Sequence, residues 1–318
     1  MKQNEPVAPV DGLMPDLPPA TPVAAPSTTL GFTLAFSALI AGSIAMGVSP
    51  VFVRTAEIGP FSSAFWRVTV ALPALFLWAY LEARSHKRAL RISWPVPILL
   101  SGLFFAGDLT FWHLAIMNTT MANATLMSCL APVWVLILSS TFIGEKVPRR
   151  SFGGLAICLI GAALLIGSSY RIDPSRLLGD FYGFVTSLFF GLYFLAIRVG
   201  RRSMGSGELT FASTTVTSLA LLIFAIASGN AFLPQTATGY ASLASLGLIS
   251  HAGGQGLLAV ALGSLSAAFS SLVIFLEAVA AAFFGWAVFG ESMGPLQFAG
   301  GSLILAGIWV ARPEAQAR

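Results

Sequence analysis

Charged side chains are scarce in this chain. Asp, Glu, Lys and Arg make up only 9% of its 318 residues, whereas hydrophobic residues make up 56%. The mean hydropathy is +0.83. A soluble protein carries roughly 25% charged residues, and a smaller share leaves too little polar surface to cover a water-facing globule. We therefore expect the chain to lie in a lipid bilayer.

Cysteine and histidine are also rare. The two cysteines, Cys129 and Cys158, lie inside apolar runs, and only three histidines occur. This composition supports neither a disulfide framework nor a metal site. No H-E-x-x-H motif and no phosphate-binding G-x-x-x-x-G-K-[ST] motif is present. The sequence thus predicts no catalytic residue, no cofactor and no ATP coupling. The basic residues form short clusters between apolar runs, a pattern that does not indicate a nucleic-acid surface.

The N-terminal segment lacks any apolar stretch and contains seven prolines within residues 1–29. Such a segment buries too little surface to offset its ordering entropy, so we expect a disordered tail. It also lacks the apolar core of a signal peptide, so the first helix is expected to act as an uncleaved insertion signal.

Ten apolar runs follow, and each approaches the ~20 helical residues needed to cross a bilayer core of ~30 Å. They lie near residues 31–53, 60–81, 95–115, 120–142, 150–168, 180–198, 208–228, 240–261, 267–289 and 294–311. The alternating pattern of a membrane barrel is missing, and backbone groups in lipid must bond within their own segment. The sequence therefore predicts an all-α integral membrane protein with ten transmembrane helices.

Basic residues orient these helices. Ten lie in or beside the second, fourth and sixth loops: Arg84, Lys87, Arg88, Arg91, Lys146, Arg149, Arg150, Arg198, Arg201 and Arg202. Only Arg54, Arg171 and Arg176 lie in the odd-numbered loops. Lys and Arg concentrate in cytoplasmic loops. We therefore predict that the chain lies in the cell (inner) membrane, with both termini, including the tail 312–318, in the cytoplasm.

The second half of the chain repeats the first. Eleven identities join residues 115–161 to residues 261–307 at an offset of 146, and Gly144-Glu145 falls on Gly290-Glu291. Chance would give about four in so biased a composition. The first and sixth helices agree at an offset of 144, which places Arg54 on Arg198.

Each repeat contains five helices, so the second copy enters the membrane upside down. We assign residues 30–168 to the first repeat and residues 179–311 to the second. Inverted repeats are typical of secondary transporters, in which two similar halves open a central site to each side in turn. The alternative is that gene duplication left this symmetry in a protein of another function.

Several segments resemble the two EamA domains of the drug/metabolite transporter superfamily. In the first copy they are Asn123-Ala-Thr-Leu126, Ala131-Pro132-Val133 and Gly144-Glu145-Lys146. In the second copy they are His251-Ala-Gly-Gly-Gln255, Ala268-Phe-Ser-Ser271 and Gly290-Glu291. This resemblance covers nearly all of residues 31–311. It implies a central cavity lined mainly by the first, third and fourth helices and their repeat mates, and export of amino acids, drugs or other small metabolites.

Four ionisable residues lie inside the predicted helices: Arg67, Asp108, His251 and Glu277. Each costs about 2.5 to 3.5 kcal/mol on insertion scales, which makes it a functional candidate. Arg67 and Asp108 both lie about 10 Å from the outer end of their helices, so we expect them to pair. The alternatives are a purely structural ion pair, or an Arg67 that reaches outward and leaves Asp108 alone and neutral.

Glu277 is the strongest candidate, because it stands where the first repeat has Ala131. Glu277 and His251 both lie near the middle of the membrane, the depth of the substrate site in such transporters. There Glu277 would accept a substrate ammonium group or a coupling proton, which His251 would relay. Alternatively, both residues are structural. Gln255 lies one helical turn beyond His251, so we expect both side chains on one face.

Asn123, Trp112 and Tyr193 are weaker candidates, since such residues often serve as helix caps or interface anchors. Together the sequence predicts a secondary transporter, specifically an exporter of small metabolites, amino acids or drugs, that uses alternating access and protons as the coupling ion. The alternatives are a passive channel, a flippase for lipid-linked substrates, or an intramembrane enzyme.

Overall fold

The computed structural model describes residues 30–167, 173–291 and 293–313, without the side chains of Met121 and Ala122. Every regular element in these ranges is helical. The predicted N-terminal tail and most of the predicted C-terminal tail lie outside the described residues.

Ten apolar helices succeed one another along the described chain. They are α1 Phe32–Thr55, α2 Pro60–Ser85, α3 Val96–Asn118, α4 Asn123–Ile143, α5 Arg149–Gly167, α6 Pro174–Gly200, α7 Ser206–Ala227, α8 Ala237–Leu262, α9 Ala267–Phe289 and α10 Pro295–Ala311. Among the described residues, α1 to α9 are long and apolar enough to cross a bilayer, and α10 is shorter with 17 residues. At a rise of 1.5 Å per residue, α10 is about 26 Å long, just below the bilayer core. The all-α membrane fold predicted from the sequence is confirmed.

The loops gather at two opposite ends of the bundle. At one end, which we call the even face, the loops after α2, α4, α6 and α8 meet. There Arg198 Nη1 donates to the carbonyl of Leu262 at 2.6 Å. At the other end, the odd face, the loops after α1, α3, α7 and α9 meet. There Trp66 Nε1 donates to the carbonyl of Phe232 at 2.6 Å.

Helices α5 and α10 pack closely against each other through glycine. A Cβ atom on Gly161 would lie 2.7 Å from the carbonyl oxygen of Gly300, and one on Gly154 would lie 2.6 Å from that of Gly307. Only glycine allows two helix backbones to approach so closely. Gly154 is the repeat equivalent of Gly300, and Gly161 is that of Gly307. The contact therefore joins equivalent helices of the two repeats.

Helices α4 and α9 are interrupted at equivalent positions. The segments of α4 are Met121–Ser128, which begins two residues before the apolar span, Ala131–Leu138 and a terminal π turn, Ser139–Ile143. α9 consists of Ala267–Val273 and Phe275–Phe289. In α4 the interruption precedes Pro132, which has no amide hydrogen to continue the helical ladder. α1 is interrupted in the same way before Pro50, between Phe32–Gly47 and Ser49–Thr55.

Helix α8 widens in its middle into a π-helix over Leu246–Gln255. Its repeat mate α3 is a regular α-helix from Val96 to Asn118. π-helical segments are rare and occur frequently at functional sites. The repeats therefore differ most where α3 and α8 enter the centre of the bundle.

Candidate functional site

A cavity of about 170 Å³ lies at the centre of the bundle. It is lined by residues of α1, α2, α3, α4, α6, α8 and α9. These are the helices that the family resemblance implies, together with α2, which contributes Arg67. Most of the lining is apolar, but Arg67, Asp108, Glu277 and the amide of Gln255 all reach it.

Three ionisable side chains line the cavity, and the part of the chain that the structure describes gives them no hydrogen-bond or ion-pair partner. Within the described residues, no ion pair includes Arg67, Asp108 or Glu277. The Nε atom of Arg67 is buried without any hydrogen-bond acceptor. Asp108 is only 8% exposed. A buried charge without a partner is strongly destabilising, and ionisable groups inside membrane helices are functional candidates, so this cavity is the candidate site.

The expected direct pairing of Arg67 with Asp108 is therefore wrong for this structure. Both residues do reach the same cavity, as their similar depth predicts. Helices α2 and α3 contact each other, and both pack against α7. The two side chains therefore face one cavity, but among the described residues they form no ion pair with each other.

The charges of the lining do not balance. When Arg67, Asp108 and Glu277 are all ionised, the cavity carries one positive and two negative charges. Asp108 is buried, so an uncompensated charge there is costly. Binding one proton or one cationic group would neutralise the lining.

A cluster of aromatic and polar side chains supports one wall of the cavity. Tyr193 donates from its hydroxyl to Gln255 Oε1 at 3.0 Å. The ring of Phe105 lies 4.7 Å from the ring of Tyr193 and 5.4 Å from the ring of His251, measured between centroids. His251 Nε2 is hydrogen-bonded to Thr214 Oγ1 at 2.9 Å. This cluster fixes the orientation of the Gln255 amide.

The lining follows the internal repeat. The six lining residues of α4 are Thr125, Ser128, Cys129, Ala131, Pro132 and Val135. An offset of 146 converts them one for one into the six lining residues of α9: Ser271, Ile274, Phe275, Glu277, Ala278 and Ala281. The same offset places Phe105 on His251, and these two rings touch. Equivalent segments of the two repeats therefore line the cavity together. The ionisable residues Arg67, Asp108 and Glu277 have no ionisable equivalent in the other repeat.

Both repeats match the EamA-like transporter family, at residues 28–167 and 177–312. The chain belongs to the EamA-like transporter family. It is 25% identical over 280 residues to an uncharacterized transporter of Archaeoglobus fulgidus, which covers 87% of this chain and 96% of that protein.

Two further similarities fit the family. The chain is 25% identical over 233 residues to the pseudopaline exporter of Pseudomonas aeruginosa, which covers 72% of this chain and 79% of that protein. A protein of known crystal structure, 16% identical in sequence, has the same fold with a TM-score of 0.74, over 88% of this chain and 95% of that one. These similarities indicate a multi-pass membrane transporter that takes small molecules as substrates.

Three of the predicted site residues lie outside the cavity lining of this EamA-like transporter. His251 is only 2% exposed and stands behind Phe105. Gln255 reaches the cavity, whereas His251 does not. Tyr193 acts only through Gln255. Trp112, by contrast, lines the cavity.

Asn123 has a structural position at the start of α4. It is fully buried, and its Nδ2 donates to Asp180 Oδ1 of α6 at 3.0 Å. Its backbone amide donates to Thr120 Oγ1 at 3.1 Å, which caps the helix. Thr119 Oγ1 donates to the same carboxylate oxygen at 2.7 Å. Asn123 therefore holds α4 against α6 rather than facing the cavity.

Sequence reasoning missed the small polar residues of the lining, such as Ser49, Thr125, Thr186 and Ser271. Single hydroxyl groups are common in membrane helices and carry no signal of their own. The repeat did contain a signal, because Thr125 and Ser271 occupy the same position in the two copies.

The cavity is closed toward the even face. There the second segment of α4, Ala131–Leu138, packs against the first segment of α9, Ala267–Val273. On the odd side, Met121–Ser128 packs on α6 and Phe275–Phe289 packs on α1, and within the described residues no comparable packing joins the two. The interruptions of α4 and α9 therefore let the two helices diverge from the cavity toward the odd face.

Proposed function

We propose that this chain is a proton-coupled exporter of small metabolites that carry an amino group and a carboxylate, as amino acids do. It works by alternating access across the cell membrane, with its even face in the cytoplasm. The observation that carries this proposal is the set of three unpartnered ionisable side chains in one cavity between two inverted repeats.

The charge pattern of the lining supports this substrate class. A substrate ammonium group would bind Glu277, because the lining holds two acids and its single cation, Arg67, would be engaged by the substrate carboxylate. A substrate carboxylate would bind Arg67, whose Nε atom lacks an acceptor and whose planar guanidinium binds carboxylates with two parallel hydrogen bonds. Apolar residues such as Phe190 and Ile274 fill the remaining wall and would contact an aliphatic or aromatic side chain.

Proton coupling follows from competition for one group. A protonated Glu277 has no charge with which to hold an ammonium group, and an ammonium group bound to Glu277 displaces its proton. Substrate and proton would therefore occupy the cavity in turn. A carrier of this kind exchanges an outgoing substrate for an incoming proton and needs no ATP.

The export direction is supported by the basic residues of the even face and by the name of the Pseudomonas relative. The positive-inside bias places the even face in the cytoplasm. The inward proton gradient of a living cell would then drive an amine outward.

Two experiments test this function. Metabolite profiling of the medium from cells with and without the gene should reveal an exported compound with an amino and a carboxylate group. In proteoliposomes, an outward-directed load of unlabelled compound should drive uptake of labelled compound by counterflow. A passive channel would show no counterflow, and that result would reject the carrier. Export of a neutral or lipid-linked compound alone would reject the proposed substrate class.

A further inference from the structure

Two ion pairs at opposite faces join repeat-equivalent residues. On the even face, Arg198 at the end of α6 pairs with Glu145 just after α4. On the odd face, Arg54 at the end of α1 pairs with Glu291 just after α9, with 2.6 Å between Nη1 and Oε1. The repeat offsets place Arg54 on Arg198 and Glu145 on Glu291. We call the Arg198–Glu145 pair the even latch and the Arg54–Glu291 pair the odd latch. Each latch joins one repeat to the other.

The same backbone geometry places both glutamates. Gly144 and Gly290 end α4 and α9 in the left-handed region, with φ of 70° and 67°, where a residue other than glycine would be strained. The amide of Glu145 then donates to the carbonyl of Ser139 at 3.2 Å, and the amide of Glu291 donates to that of Gly285 at 3.3 Å. The paired Gly-Glu motif of the sequence therefore positions one carboxylate at each face.

The two latches are engaged to different degrees. In the even latch, the side chains of Arg198 and Glu145 are 21% and 14% exposed. Glu145 Oε2 also accepts a hydrogen bond from the amide of Ala267 at 2.9 Å, and Arg198 Nη1 donates to the carbonyl of Leu262. The even latch thus holds α4 and α6 against both sides of the turn between α8 and α9.

The odd latch lacks these additional bonds. The side chains of Arg54 and Glu291 are 43% and 51% exposed, and the hydrogen bonds of the described residues give them no further partner. An exposed pair of this kind contributes little to stability, whereas a partly buried pair with additional hydrogen bonds contributes more. The fully engaged latch is on the face where the cavity is closed.

We infer that the two latches are the alternating gates of transport, and that each is fully engaged only while its own face is closed. This inference rests on the proposed alternating-access function. The repeat offset also specifies the contacts of the opposite state, because Leu262 is equivalent to Ile116 and Ala267 to Met121. When the odd face closes, Arg54 should donate to the carbonyl of Ile116, and Glu291 should accept from the backbone amide of Met121.

A native cysteine reports which face is open. Cys129 lines the cavity, whereas Cys158 is fully buried between α5 and α10. A membrane-impermeant thiol reagent, applied to the odd-face side without substrate or proton gradient, should modify Cys129 only while that face is open. A Cys129→Ala variant gives the background rate.

Neutralising each latch should shift this rate in a defined direction. Glu145→Gln weakens the even latch, so the equilibrium should shift about tenfold toward the state with an open even face, as expected from the loss of charge-assisted hydrogen bonds, and the modification of Cys129 should slow. Glu291→Gln, the matched change at the odd face, should leave the rate equal to that of the unaltered protein or raise it. The double variant should return toward the unaltered rate.

Two results would overturn the inference: an unchanged rate in Glu145→Gln, or an equal slowing in Glu291→Gln. Modification of Cys158 signals an unfolded variant, and Arg198→Lys then replaces Glu145→Gln; a smaller slowing is expected, because lysine keeps the charge but lacks the guanidinium that contacts both Glu145 and the Leu262 carbonyl. The measurement needs no substrate. If the rate of Cys129 modification shifts but the protein does not export amines, the proposed function is rejected and the assignment of the latches as gates is retained.

Discussion

Glu277→Gln is the most informative change in the cavity. It keeps the size of the side chain but removes one of the two negative charges of the lining, so that Arg67 and Asp108 alone become balanced. A substrate ammonium group would lose its ionic partner, while the positions of α4 and α9 should stay unchanged.

The magnitude follows from the interaction that is lost. Hydrogen bonds to charged groups contribute about 1.5 to 3 kcal/mol each. At about 1.4 kcal/mol per factor of ten, the efficiency of transport, kcat/KM, should fall about 10- to 100-fold. The pH dependence should disappear as well, because a glutamine neither binds nor releases a proton.

The assay is uptake into proteoliposomes of the compound found by metabolite profiling, with the pH varied on each side. Asp173→Asn is the matched control, since it also removes one acid but lies in the loop before α6, where the carboxylate is 40% exposed and pairs with Arg176. Its transport should equal that of the unaltered protein. If Glu277→Gln retains both the KM and the pH dependence of the unaltered protein, Glu277 is not the coupling group.

Three further changes test other parts of the structure. Arg67→Lys keeps the charge but loses the planar guanidinium, so the KM for a carboxylate substrate should rise about tenfold. The KM for a methyl ester of the same compound should stay unchanged. An equal rise in KM for both compounds would contradict carboxylate binding. His251→Gln should retain the pH dependence of transport, since His251 does not reach the cavity; a lost dependence would restore its role as a proton relay. Gly161→Ala should lower stability by about 1 to 3 kcal/mol, measured as a lower Tm, because its Cβ would press on the Gly300 carbonyl. Gly153→Ala on the same helix meets open space and should change the Tm little; equal Tm values would contradict close packing of α5 and α10.

The fold was largely predictable from the sequence. Membrane helices must satisfy their own backbone hydrogen bonds, so length and hydropathy alone define them. The internal repeat added the inverted architecture, and Gly144 and Gly290 recur because both end a helix in the left-handed conformation. The interruptions of α4 and α9 were less visible, because only α4 carries a proline at that point.

The cavity was predictable only in part. Depth along a helix follows from counting residues, so Arg67 and Asp108 were expected at one depth and Glu277 near the middle of the membrane; all three line the same cavity. Depth does not say which way a side chain points around the helix axis, and therefore the predicted contact between Arg67 and Asp108 is missing. His251 and Gln255 are four residues apart on α8, yet Phe105 and Thr214 hold His251 behind the wall while Gln255 reaches the cavity, and the sequence does not show these contacts.

Proton release on substrate binding tests the central claim most directly. Purified protein in a weakly buffered detergent solution with a pH indicator is mixed with the exported amine near neutral pH. If proton and amine compete for Glu277, binding should release protons in the unaltered protein and none in Glu277→Gln. Binding of the amine without proton release, or equal release by both proteins, would contradict the competition on which the proposed coupling depends.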